Sequence, residues 1–241
     1  MSQKFLTAEW RKLIMANYEV NASQLFSLVP AGTEPDTWNN KTYVSLVGFL
    51  FANTRVRGLK IPFHVNFPEV NLRFYVRYKE NGEWKRGVVF VKEIVPKLAI
   101  SFVANSLFNE RYITLPMKYS IQLSDAGQLL VSYQWKYKGS WNSLEAKTTT
   151  GKKPLIEGSK EEFITEHFWG YSSVSEGVTG EYRVDHPRWD IYSVDSYRVQ
   201  CDFGNLYGKS FAGLKEQQPV SVFLAEGSPV SVYKKRIILS R

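Results

Sequence analysis

The sequence is poor in residues that cross-link, ligate metals or span membranes. Its one cysteine in 241 residues, Cys201, excludes an internal disulfide and fits a reducing compartment. That cysteine reads as a small buried apolar side chain. Long apolar runs are missing too. The longest, residues 43–52, falls well short of the ~20 residues a membrane-spanning helix needs. Charges interrupt the first twelve residues before a signal-peptide core can form. A cytoplasmic protein with no membrane partner is therefore expected. Only three histidines occur, His64, His167 and His186, far apart and without metal-ligand spacing. No GxSxG elbow, phosphate-binding loop or GxGxxG motif is present. Neither a metal nor a cofactor is expected. Repeats, heptads and linkers between two cores are also absent, so residues 1–241 read as a single domain.

What the sequence does contain is apolar surface. Hydrophobic residues make up 44% and aromatics 15%, enough to offset chain entropy and suited to a pleated, sheet-rich core. The net charge of +8 invites an anionic partner. The basic residues are scattered, however. Their densest clusters, residues 147–153 and 234–236, lack interleaved aromatics, so they read as solvated surface rather than a nucleic-acid footprint. Homo-oligomerisation stays open.

Local patterning predicts helix only near the ends of the elements. Residues 7–13 read as a short helix capped by Thr7, with Trp10 and Leu13 three apart, and residues 22–28 as a second one capped by Asn21. A turn-rich loop follows at 33–40. From Lys41 on, the pattern is β. Strands are expected at 42–57 with a bend at Gly48, at 69–78, and at 87–95 ending at Pro96. Further strands are expected at 98–103, 117–123, 129–138, 168–173, 182–184, 191–199, 220–224 and 230–239. Asn81-Gly82 and residues 124–127 signal hairpins. Residues 104–111 read as a helical turn, 148–160 as a flexible loop and 161–166 as a short helix. Many short strands with few helices imply a mainly β, largely antiparallel barrel or sandwich.

Two segments carry candidate chemistry. In residues 69–77, Glu69, Asn71, Arg73, Tyr75 and Arg77 fall on one face by the period of two. Val70, Leu72, Phe74 and Val76 fall on the other. The polar face is either a wetted sheet surface with a weak ion pair or the wall of a polar cavity in which Glu69 and Arg73 grip a ligand. In residues 92–99, Lys92 alternates with Val88, Phe90 and Ile94. On an apolar face its pKa would fall by desolvation. Lys97 follows Pro96 at a strand break, where side chains often point into a cleft.

Several segments together resemble a known family: residues 29–38 (VPAGTEPDTW), 44–49 (VSLVGF), 55–58 (RVRG), 67–77 (FPEVNLRFYVR), 87–90 (GVVF), Leu115-Pro116, 163–166 (FITE) and 186–189 (HPRW). In this order they are similar to the bacterial YqjF-like family of the acetoacetate-decarboxylase-like superfamily. The resemblance implies a largely antiparallel β-barrel with a few peripheral short helices, and it turns the face from Glu69 to Arg77 toward a barrel interior. It also implies a role for residues 93–99 (EIVPKLA), which are similar to the segment holding the Schiff-base lysine of acetoacetate decarboxylases. By that match Lys97 takes the catalytic lysine's place, with Glu69 and Arg73 as acidic and basic partners. The second lysine of that segment is Leu98 here, so a lowered amine pKa would depend on burial, or on a cation such as Arg73 or Lys92.

Two functions are therefore expected to compete. The first is a barrel cavity lined by Arg73, Asn71, Tyr75 and Lys92 that binds a small anionic or carbonyl-containing molecule. The alternative is a lysine-dependent decarboxylase or related lyase acting on keto acids through Lys97 and Glu69. An interaction protein using its basic surface is a third, weaker reading.

Overall fold

The computed structural model describes residues 3–239. It contains fourteen strands: β1 (Lys4–Val20), β2 (Thr33–Pro35), β3 (Thr42–Val56), β4 (Phe67–Glu80), β5 (Glu83–Val95), β6 (Tyr112–Thr114), β7 (Met117–Leu123), β8 (Leu129–Tyr137), β9 (Ser140–Thr148), β10 (Trp169–Ser175), β11 (Val178–Asp185), β12 (Ile191–Gln200), β13 (Ser221–Tyr233) and β14 (Arg236–Leu239). Three short α-helices lie between them: α1 (Leu98–Phe108), α2 (Lys160–Thr165) and α3 (Phe203–Tyr207). The fold is mainly β, with helices at its periphery.

Hydrogen bonding runs from β11 through β10, β5, β4, β3 and β1 to β13, and a short β11–β13 pairing returns it to the start. Seven strands thus form a closed ring. All its pairings are antiparallel except β5–β10. β12 leaves β13 to start a second antiparallel layer with β9, β8 and β7. The two layers share a core. Ile14, Ala16, Val44, Leu46, Leu72 and Phe74 on the outer face of the ring pack with Val131, Tyr133, Trp135 and Leu144 of the second layer. The opposite face of the ring strands is therefore its interior.

The long strands are not uniform, and their irregularities decide which side chains face inward. β1 carries one more residue than β3 between the pairs Arg11–Leu50 and Ile14–Gly48, with Lys12 at φ 54°. This bulge switches the inward positions from Ala8 and Trp10 to Leu13 and Met15. It also accounts for the three-residue spacing of Trp10 and Leu13. That spacing predicts a helix over residues 7–13, but the chain forms a bulged strand there. Gly48 pairs in an unbroken β3–β4 register and is not a bend. A Cβ there would lie 2.8 Å from the Tyr133 ring, so glycine permits the second layer to approach.

Other expectations shift as well. Residues 98–103, read as a strand, begin α1; their apolar alternation misled because Leu98 and Phe102 are exposed while Ile100 turns inward. Residues 33–35, read as loop, form β2 against β4. The segment at 22–28 is two 3-10 turns rather than one helix, although Asn21 caps the first through its side chain. The tail's two expected strands are the single long β13 followed by β14. The Asn81-Gly82 hairpin forms as expected, with both residues at positive φ.

Gly227 faces the β1 bulge at φ 81°, and a Cβ there would fall 1.9 Å from the Trp10 carbonyl oxygen. Gly227→Ala is expected to lower stability by about 3 kcal/mol or more, because backbone strain and a main-chain clash add. Gly58→Ala, at φ 84° in open space, is expected to cost only the left-handed penalty of about 1–2 kcal/mol. Urea unfolding of the two variants tests the difference, and equal costs would contradict this account of the bulge.

Candidate active site

The inner face of the ring encloses a cavity of about 370 Å³, covered on one side by α1 and by the loop carrying Ile61 and His64. Apolar side chains form most of its wall, with aromatic ones prominent, among them Trp10, Phe49, Phe67, Phe90 and Trp189. Such a wall suits the apolar body of a small ligand. The polar part of the wall comes from a few side chains that the strands deliver.

β4 supplies the first group by simple alternation. Glu69, Asn71 and Arg73 line the cavity, and Tyr75 continues the same face beyond it. Tyr75 is buried, its hydroxyl 2.6 Å from Ser45 Oγ and its ring against His167. Arg77, on the same face in sequence, lies nearer the surface and pairs with Glu34.

β5 supplies Glu93 through another bulge. Its pairing with β4 shifts between Leu72–Lys92 and Arg73–Phe90, so Phe90 and Glu93 both face the cavity. Lys92 is thereby turned outward and donates to the Leu206 carbonyl of α3. Its pKa is lowered, chiefly by burial and also by Arg111, but it does not line the cavity. Nor does Lys97, which sits half-exposed at the N-cap of α1. Of the residues expected at the site, the cavity brings together Glu69, Asn71 and Arg73, holds Tyr75 behind them, and leaves Lys92 and Lys97 outside. No lysine lines it among the described residues.

Three carboxyl groups share this interior. Glu69 is 2% exposed, Glu93 1% and Glu110, from the segment after α1, 9%. Glu69 accepts from Asn71 Nδ2 at 2.9 Å and from the Tyr112 hydroxyl at 3.0 Å. Glu110 accepts from the Tyr182 hydroxyl at 2.8 Å. None of the three has an ion-pair partner within 4 Å among the described residues. Burial pushes Glu69 up to about 7, with its hydrogen bonds and Arg73 pulling the other way. It pushes Glu110 up to about 8. Glu93 lies well above the usual carboxylate range, because burial acts together with repulsion from Glu110 and Glu69.

Arg73 is the opposite charge in the same space. It is 8% exposed, donates through Nη2 to the Ile164 carbonyl at 3.3 Å and lies over the Tyr75 ring. No carboxylate is within ion-pair distance of it among the described residues. Beside it, His167 is bonded through Nε2 to Asp36 at 3.0 Å, and Asp36 also receives Arg86. Burial lowers His167 to about 4 against the pull of Asp36. His186, stacked on Trp189, is likewise lowered to about 4, mainly by burial.

Several buried polar atoms on this wall lack a partner among the described residues: Arg73 Nε, Asn71 Oδ1, Glu93 Oε2, His167 Nδ1 and Trp10 Nε1. Buried polar atoms are ordinarily hydrogen-bonded. These five atoms gather around one cavity. Glu110, Tyr112 and His167 escaped sequence reasoning, since nothing local in residues 104–112 or 163–168 signals that these segments close over the ring. No group of three His, Cys, Asp or Glu side chains arranged to hold a metal occurs among the described residues.

A family model described as DUF2071, uncharacterized conserved protein, matches residues 7–229. The protein YqjF of Bacillus subtilis, described as uncharacterized, is 29% identical over 194 residues, covering 78% of this chain and 75% of that protein. Among solved structures, acetoacetate decarboxylase from Legionella pneumophila aligns with a TM-score of 0.65 at 13% identity over 97% of this chain and 87% of that one. The enduracididine biosynthesis enzyme MppR complexed with pyruvate aligns with a TM-score of 0.65 at 13% identity over 98% and 91%. At these identities the structures share the fold alone.

The titration of the cavity gives a signed prediction. The raised carboxyls contribute stability that is complete below their ordinary value of 4.5 and lost as pH rises through about 7 to 8. The lowered histidines contribute stability that is complete above 6.5 and lost as pH falls through about 4. The groups facing the carboxyls are Arg73, Asn71, Tyr112 and Tyr182, with Arg111 and Lys235 acting on Glu110. From pH 6.5 to 8 the carboxyl effect therefore dominates. The melting temperature of the ligand-free protein is expected to fall by several degrees over that interval, and Glu93→Gln to flatten the fall. A level or rising profile would contradict the assignment.

Proposed function

The chain belongs to the DUF2071 family, and on that premise we propose that it binds a small organic anion bearing a carbonyl group inside the strand ring. The observation that carries this reading is Arg73. A guanidinium taken out of water without a counter-charge costs several kcal/mol, and its Nε is left free at the cavity wall. A carboxylate there satisfies both the charge and the free donor. The aromatic wall then takes the ligand's apolar part. That MppR, a protein of this fold, has been solved with pyruvate supports a keto acid as the ligand class. Its setting is the cytoplasm of the cell, in line with the single free cysteine, and the ring with its second layer works as one domain.

The lysine-dependent alternative requires an amine that reaches the bound carbonyl. Lys97 and Lys92 both lie outside the cavity wall, so binding without an iminium fits the geometry better.

Calorimetric titration with pyruvate, acetoacetate and phenylpyruvate tests the reading. At least one of them should bind, and Arg73→Met should weaken it about 10-fold or more, the loss expected for a charge-assisted hydrogen bond. The same variant should leave the ligand-free melting temperature unchanged or raised, since it removes an unpaired buried charge. Borohydride treatment in the presence of the keto acid should label no cavity residue and not Lys97. Unaltered affinity in Arg73→Met would overturn the anion site, and a reduced adduct on Lys97 would restore the lysine mechanism.

A further inference from the structure

The anion site and the carboxyl cluster lie on one wall, and the second gives the first a reaction. Three buried carboxyls with no ion-pair partner among the described residues resist being ionised together, because burial and mutual repulsion force protons onto the group. Their surroundings differ in a way that sorts them. Glu69 accepts from Asn71 Nδ2 and from the Tyr112 hydroxyl, both of which favour a carboxylate. Glu93 also meets the Tyr112 hydroxyl and the Arg111 backbone N–H, yet burial and the repulsion of Glu110 and Glu69 outweigh both and keep its proton in place. The second Glu93 oxygen, Oε2, is buried and unpartnered at the cavity. A base and an acid thus stand beside the same space, joined through one phenol. Divergent environments for neighbouring carboxyls are what acid–base catalysis on a carbonyl compound requires.

Taking the anion-binding reading as given, we infer that the cavity catalyses reversible enolisation of a 2-keto acid carrying a bulky apolar or aromatic group, without a covalent intermediate. Arg73 holds the carboxylate and the aromatic wall holds the apolar group. Glu69 takes the proton from the carbon next to the carbonyl. The electron pair of that C–H bond becomes the carbon–carbon double bond of the enol, and the carbonyl π pair moves to oxygen, which receives a proton from Glu93. Glu69 ends protonated and Glu93 ionised. Tyr112, in contact with both, restores the starting state by taking the proton of Glu69 and giving its own to Glu93. No oxidant, reductant or further reactant enters the balance. Asn71 Oδ1 and His167 Nδ1, unpartnered acceptors on the same wall, are placed to receive the enol hydroxyl.

Phenylpyruvate is the probe, because it combines one carboxylate, one adjacent carbonyl, exchangeable C3 protons and an aromatic ring. In deuterated buffer, proton NMR follows loss of the C3 signal, and calorimetry on the same samples follows binding. The wild-type protein is expected to exchange C3 protons at least 10-fold faster than buffer alone. Glu69→Gln should bring the rate to that of buffer while still binding phenylpyruvate, and Glu93→Gln should lower it strongly. If Glu69→Gln fails to fold, Glu93→Gln with retained binding carries the decision. Phenylpyruvate that binds but exchanges at the buffer rate, or at the wild-type rate in the folded Gln variants, overturns the enolisation and leaves the anion site standing. No binding at all overturns both.

Discussion

A charge taken out of water without a counter-charge in contact is the constraint from which the rest of the interior follows. Arg73 sits at the fourth inward position of β4, after Phe67, Glu69 and Asn71, while the alternate residues Val70, Leu72 and Phe74 fill the core shared with the second layer. With one face of β4 committed to that core, the charged face has nowhere to go but the interior. Closing the ring around it removes bulk water and raises the cost of every unpaired group inside. The interior meets that cost partly by protonation, as the raised carboxyls show, and partly by burying His167 neutral against Asp36. The guanidinium has no such route, because it does not deprotonate.

Two bulges and one glycine do the positioning. The extra residue in β1 at Arg11–Lys12 brings both Trp10 and Leu13 to the cavity, and the shift in β5 brings both Phe90 and Glu93. Gly227 at positive φ allows β13 to follow the bend of β1. Each bulge changes the parity of a strand halfway along, which is how long strands can contribute apolar residues to two different cores and polar residues to the space between.

The same bulges set the limit on what was legible in the sequence. Unbroken alternation in β4 made its inward face readable from Glu69 to Tyr75, and the hairpins at Asn81-Gly82 and at residues 124–127 gave two of the strand connections. Parity switches are silent in a sequence. Alternation from Val88 assigned Lys92 to the face that Glu93 occupies, and the Trp10–Leu13 spacing read as helix where a bulged strand was present. The family resemblance carried the fold correctly but put Lys97 at the reactive position, where the structure has a half-exposed helix cap. Glu110, Tyr112 and His167 reach the cavity from segments distant in sequence, and only the closed ring shows that they meet.

The central claim is that Arg73 waits for an anion inside the ring. A crystal of the protein soaked with 4-bromophenylpyruvate tests it directly, because bromine gives an anomalous signal that locates the ring while density locates the carboxylate. The account predicts one bromine site against the aromatic wall, with the carboxylate on the Arg73 guanidinium. Bromine only at surface lysines, or a carboxylate in the cavity that turns away from Arg73, would contradict it.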